Sequence, residues 1–229
     1  MIDDMIDDMI DKTKYRMRKT EMREMPTDRM KYWDGVYASR PSTELGWHQK
    51  TPETSLSMIH ALGLESNQGI IDIGGGDSVL IELLLERGFT DLSLLDVSQQ
   101  AISRSQARLG AKAQRIDWIN SDILDYDPER VFDLWHDRAC FHFLNSEEEV
   151  SSYCELASRA VRSGGYLILG AFASNGPEVC SGLPVKRYEK EELEQVFRGF
   201  ELQHDHYPVH LTPSGTEQNY IFCVFRRKP

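Results

Sequence analysis

The chain has few cysteines, no long apolar run and no excess of positive charge, and each shortage removes a class of function. Four cysteines in 229 residues, at positions 140, 154, 180 and 223, form no C-x-x-C pair and no zinc-like spacing. Free thiols in a reducing compartment are therefore expected, with no disulfide framework. Seven histidines, including the pairs His136/His142 and His204/His206, do not suggest a metal, because a metal site needs three or four convergent ligands. Nowhere do about eighteen apolar residues follow one another, so no spanning helix is expected. The start has no basic segment leading into an apolar core, which reads against a secretory signal and toward the cytoplasm. A formal net charge of −11 and a pI near 5.1 argue against nucleic acid and against an anionic membrane surface, both of which want a basic face.

What is present divides into two parts. Residues 1–29 form an acidic and charged extension, opening with a Met-Ile-Asp-Asp repeat over the first twelve residues. That repeat reads either as an amphipathic lid or as a frayed acidic terminus, and residues 13–30 read as a solvated helix with i,i+4 ion pairs. Residues 30–229 read as one domain. Strands are expected at 69–73, 92–96, 116–120, 132–135, 166–171, 200–206 and 218–226, and helices at 78–87, 99–109, 147–161 and 190–197. That alternation predicts an α/β fold: a doubly wound, mostly parallel seven-stranded sheet. The missing helix between the last two strands predicts an antiparallel C-terminal hairpin strand.

The segment Ile70-Ile71-Asp72-Ile73-Gly74-Gly75-Gly76-Asp77-Ser78 describes a strand breaking into a tight turn before a helix. Glycines there permit positive φ and close ligand approach. Val79 stands where a dinucleotide fingerprint wants its third glycine, which disfavours an NAD-dependent oxidoreductase. Asp72 would repel a pyrophosphate and suits a ligand carrying an ammonium group. Asp96 ends the second expected strand twenty residues past Gly76, where a carboxylate can accept both hydroxyl protons of a ribose. Its alternative is a helix N-cap, a task that Ser98 performs equally well.

This Asp-x-Gly-x-Gly pattern resembles the first motif of the class I S-adenosylmethionine-dependent methyltransferases, and the order of the strands resembles their sheet over about residues 30–229. The resemblance implies S-adenosylmethionine as cofactor, held at Asp72, Gly74, Gly75, Gly76 and Asp96. It implies Asp122 at the adenine amino group, with Ile123 and Val97 against the ring faces. The run Trp135-His136-Asp137-Arg138 at the end of the fourth strand resembles the thiopurine methyltransferases and their relatives, although His136 is inserted before Asp-Arg. It implies His136, Asp137 and Arg138 as catalytic residues beside the reactive methyl, the alternative being an internal Asp137–Arg138 ion pair. Cys140, Phe141 and His142 are expected in the acceptor wall, and Trp47 and Gln49 in a lid over it. The expected activity is methyl transfer to a small-molecule acceptor, a thiol or other soft nucleophile. A protein lysine is the alternative acceptor, and a non-catalytic S-adenosylmethionine-binding partner is a further reading.

Overall fold

The computed structural model describes residues 28–229. The Met-Ile-Asp-Asp repeat and most of the charged stretch after it lie outside the described residues.

Helix α1 (Arg29–Ser39) is capped by Asp28, whose Oδ1 accepts the Lys31 amide at 2.9 Å. After it come α2 (Glu53–Ala61), β1 (Ile70–Ile73), α3 (Leu80–Glu86), β2 (Leu92–Asp96), α4 (Gln99–Leu109), β3 (Ile116–Asn120) and β4 (Phe132–Arg138). The second half holds α5 (Glu147–Ala160), β5 (Val161–Phe172), β6 (Val179–Cys180), β7 (Leu183–Pro184), α6 (Lys190–Val196), β8 (Phe200–His206), β9 (Val209–Leu211) and β10 (Glu217–Arg227). Among the described residues no helix is long and apolar enough to cross a membrane.

The sheet order is β3-β2-β1-β4-β5-β10-β8, with β9 pairing beside β10. All contacts from β3 to β5 are parallel, and β10 runs antiparallel to both β5 and β8. The last strand therefore inserts between its predecessors and does not lie on the edge. Two short strands, β6 and β7, form a separate hairpin in the loop after β5. Every residue of β1 and β2 is buried, as expected of strands covered on both faces by crossover helices. The fourth strand runs three residues further than its apolar pattern predicts. Residues 136–138 stay in it because they pair with β1 (Asp72↔His136, Ile73↔Asp137) and with β5 (Arg138↔Gly170).

The pleat of β4 divides the core. Trp135 points to the face covered by α5 and α6, among Phe141, Tyr153, Tyr188 and Phe197. Leu134 points to the opposite face, with Leu56, Ile81, Leu84 and Ile168. Helix α5 starts with a capping box in which Ser146 and Glu149 exchange side-chain bonds, fixing where the chain leaves the loop after β4. Strand order reverses at β1, which opens a crevice at the carboxyl ends of β1, β2 and β4. Helix α1 lies across this edge. Asp34 accepts the Ser98 hydroxyl at 2.7 Å and the Gln100 amide at 3.0 Å, and the Tyr32 hydroxyl donates to Ser181 O at 2.5 Å.

Candidate cofactor and acceptor site

The glycine turn leaves β1 with Gly74 at φ 63° and Gly76 at φ 53°, conformations that L side chains rarely adopt. It is also tightly packed. A Cβ on Gly74 would stand 2.7 Å from the Cys140 Cβ, and one on Gly75 would stand 2.6 Å from Asp72 Oδ2. Tyr37, from α1, closes over Gly76 in the same way. The backbone thus makes room for its own neighbours as well as for a ligand.

Asp72 and His136 face one another on paired strands, with Nδ1 and Oδ1 2.7 Å apart. The other ring nitrogen, Nε2, is 2.9 Å from the Ser55 hydroxyl of α2. All three side chains are buried. Asp72 Oδ2 is buried without a hydrogen-bond partner, and it lines a crevice with Gly74, Gly75, Gln49 and Arg138. His136 lines this crevice too, but both its nitrogens are engaged. His136, expected as an acid-base residue at the acceptor, thus stands in the Asp72 crevice with its nitrogens on Asp72 and Ser55, and does not line the larger cleft of Arg138 and Cys140.

A second, larger cleft runs from the ends of β2 and β3 to the end of β4. Asp96, Val97, Asp122 and Ile123 line one end, and Arg138, Cys140, Phe143 and Cys180 the other, under Trp33, Tyr37 and Trp47. Asp96 Oδ1 accepts the Ser98 amide at 2.7 Å, while Ser98 itself caps α4 by accepting the Ala101 amide. Burial, with smaller contributions from Asp72 and Asp77, pushes the Asp96 carboxyl up to about 7. Asp122 meets the Arg29 guanidinium of α1 at 3.2 Å, and the same guanidinium pairs with Glu149. Arg29 is a residue that sequence reasoning missed, since nothing local marks one arginine in a charged stretch as a bolt across a cleft 93 positions away. Trp33 and Tyr37, from α1, also line the cleft.

Three residues expected together are separated by the pleat. Asp137 is fully buried on the opposite face from His136, accepting the Tyr153 hydroxyl at 2.6 Å and the Cys140 amide at 2.9 Å. It does not reach the cleft, and its expected catalytic role is corrected to holding the turn after β4. Nor does it pair with Arg138, whose Nη1 donates to Trp47 O at 2.9 Å. Phe141 and His142 are also corrected. Phe141 stacks on Tyr188 at 5.2 Å in the core, and His142 sits fully buried against Phe172 at 4.5 Å. Cys140 and Trp47 do line the cleft, and Gln49 lines the crevice. Burial and the nearby Asp137 raise the Cys140 thiol well above its ordinary range, so it stays protonated. Ala139 at φ 71° is the bend that turns the chain out of β4.

Residues 70–165 match the family described as Methyltransferase domain. The chain is 27% identical over 187 residues to EEF1A lysine methyltransferase 2 of Danio rerio, covering 75% of this chain and 74% of that one. Among solved structures it is similar to a protein from the conversion of a disulfide bond into a thioacetal group during echinomycin biosynthesis. That likeness has a TM-score of 0.71 at 18% identity, over 87% of this chain and 93% of that one. It is also similar to the Burkholderia thailandensis 1,6-didemethyltoxoflavin-N1-methyltransferase, with a TM-score of 0.63 at 18% identity, over 86% and 84% of the two chains. Residues 70–165 are a methyltransferase domain, and the chain has the class I S-adenosylmethionine-dependent methyltransferase fold.

The methyltransferase takes S-adenosylmethionine as cofactor, and its residues fit that group. An unpartnered carboxylate oxygen on Asp72 suits the ammonium end, because a buried acceptor left unpaired costs about 1–3 kcal/mol. A carboxylate at the end of β2 suits a vicinal diol. Among the described residues no cluster of metal-ligating side chains stands near the methyltransferase site or elsewhere.

Proposed function

We propose that this methyltransferase acts on a small-molecule acceptor, at a thiol or other soft nucleophile. The observation that carries this reading is the roof over the reacting end. Arg29, Tyr32 and Asp34 tie α1 to Asp122, Ser181 and Ser98, on three sides of the cleft. Trp33 meets Trp47 at 5.8 Å and Phe143 at 5.0 Å beneath it, so a compact acceptor fits more readily than a folded protein surface.

In this reading Asp72 Oδ2 takes the cofactor ammonium, Asp96 the ribose, and Val97, Ile123 and Asp122 the adenine. The cofactor supplies a methyl group already activated on a sulfonium. What remains for the chain is alignment and dryness. Gly74 and Cys140 set one wall at van der Waals distance, and the aromatic roof excludes water. A thiol with a pKa near ~8.5 needs little help to ionise, and the Arg138 guanidinium provides a positive field beside the cleft. The chain presents to that methyl group an acceptor that has already lost its thiol proton to solvent before the roof encloses it. The sulfur chemistry of the echinomycin neighbour supports a soft acceptor.

The similarity to the Danio rerio lysine methyltransferase favours a protein lysine as the second reading. Incubation with labelled S-adenosylmethionine and either a thiol panel or a cell lysate separates the two. Label in small molecules is expected, and label confined to protein lysines overturns the small-molecule reading.

A further inference from the structure

Among the described residues no group answers the charge of Arg138. Its Nη1 is spent on Trp47 O, its guanidinium carbon lies 5.3 Å from the centre of the Tyr220 ring, and Nη2 is buried without a partner. Among the described residues no carboxylate comes within ion-pair distance of it.

The surroundings are polar and equally unspent. Both nitrogens of fully buried His142, Gln218 Oε1 and the Tyr220 hydroxyl are buried without partners. They belong to one neighbourhood. His142 packs on Phe172, Phe172 packs on Tyr220 at 4.8 Å, and Gln218 is paired across β9 and β10 with His210. His210 is 2.9 Å from Gly46 O, next to the Trp47 carbonyl that Arg138 holds. Each such group left unpaired costs about 1–3 kcal/mol, and of them Arg138 alone lines the clefts, so its Nη2 is the one that a ligand reaches directly.

None of these neighbours is an anion at neutral pH. Burial pushes Cys180 up to about 11 and Tyr220 up to about 12, and burial together with Arg138 pushes His142 down to about 3. His210 is lowered by burial as well. Asp72 Oδ2 shares a crevice with Arg138 without pairing to it, and the other unspent groups come from β10 and the turn after β4.

We propose that Arg138 is an acceptor-binding residue: its free Nη2 takes the carboxylate or similar oxyanion of an anionic methyl acceptor. This rests on the small-molecule reading of the same site and narrows it. A lysine ammonium would meet an uncompensated guanidinium there.

The test uses the full chain saturated with S-adenosylhomocysteine and three thiols of similar size: 3-mercaptopropionate, 2-mercaptoethanol and cysteamine. Calorimetry is expected to show the anionic thiol binding about tenfold tighter than the other two, the worth of one charge-assisted hydrogen bond. Arg138→Met should erase that preference and Arg138→Lys should keep part of it, with S-adenosylhomocysteine affinity unchanged in both. Should Arg138→Met fail to fold, propionate against 1-propanol on the wild-type complex asks the same question without a variant. Equal binding of the charged and neutral probes overturns the proposal. So does loss of S-adenosylhomocysteine affinity in Arg138→Met, which would assign the guanidinium to the cofactor's own carboxylate. Methyl transfer is read separately. Anion-selective binding without methylation of any thiol keeps the subsite and sinks the thiol acceptor, whereas preference for cysteamine sinks the subsite and favours the lysine reading.

Discussion

His136 holds Asp72 by one carboxylate oxygen and leaves the other free. The two residues are 64 positions apart in the chain and directly paired in the β1–β4 register, with Nδ1 and Oδ1 2.7 Å apart. A carboxylate pinned at one oxygen cannot turn its second to another partner, so Oδ2 stays buried and unpaired beside Gly75, where Asp72 borders the crevice. The motif carboxylate is in this sense preorganised by a residue from a different strand, which is itself held by Ser55.

Replacing His136 by Ala should therefore reduce stability and cofactor affinity together. It leaves Asp72 Oδ1 and the Ser55 hydroxyl buried and unpaired and empties an imidazole-sized space, at a cost of about 2–4 kcal/mol. Urea denaturation and S-adenosylhomocysteine calorimetry read the two effects. A variant with wild-type stability and affinity but no turnover would return His136 to acid-base chemistry.

Asp96 should make cofactor binding pH-dependent. Its carboxyl, raised to about 7 in the free protein, offers two charged acceptors to a ribose diol only when ionised. Affinity is therefore expected to fall as pH drops below about 7 and to level off above it. Asp96→Asn should bind more weakly by about 1.5–3 kcal/mol at high pH and show a flatter profile. A wild-type profile that is flat from pH 6 to 8 contradicts the ribose role.

Most of the sheet could be read from the sequence, because β1, β2 and the middle of β5 are mostly apolar runs, with glycines directly after β1 and within β5. The strand-end residues expected to hold the cofactor do border clefts, Asp72 one and Asp96, Val97, Asp122 and Ile123 the other, because they are local to the strand ends that topology brings together. The acceptor half was not as readable. His136, Asp137 and Arg138 are adjacent in sequence, and adjacency suggested convergence, but a strand sends neighbours to opposite faces. The period of two placed Asp137 in the core with Trp135, and carried only His136 and Arg138 to the crevice side. The α1 roof escaped for a different reason. The Arg29 partners, Asp122 and Glu149, are fixed by tertiary packing that no local pattern records.

The glycine turn yields a test that separates backbone strain from crowding. Gly74→Ala places a Cβ against Cys140 and forces an L residue to φ 63°, so it should weaken S-adenosylhomocysteine binding and lower stability by about 2–4 kcal/mol. Adding Cys140→Gly removes the facing Cβ but leaves the φ penalty of about 1–2 kcal/mol. Partial recovery in the double variant is expected. No recovery at all would mean that the left-handed backbone, and not the contact with Cys140, is the reason for glycine at this position.

Asp137 should leave its mark on stability and not on chemistry. Burial is the largest influence on its carboxyl and pushes it up to about 6, against the pull of the Tyr153 hydroxyl and the Cys140 and Phe141 amides. Because the folded state holds the proton more tightly than the unfolded chain does, the stabilisation is fully present below the ordinary carboxyl range near 3.8. It is lost as pH rises through about 6. The stability of the wild type relative to Asp137→Asn should therefore increase between pH 7 and pH 4, by up to about 2–3 kcal/mol. Asp96 and the other carboxyls are present in both proteins and cancel in the difference. Asp137→Asn should keep methyl transfer in proportion to its folded fraction, since Asp137 faces Tyr153 and the core. A folded Asp137→Asn protein that binds S-adenosylhomocysteine normally but transfers no methyl group would overturn that placement.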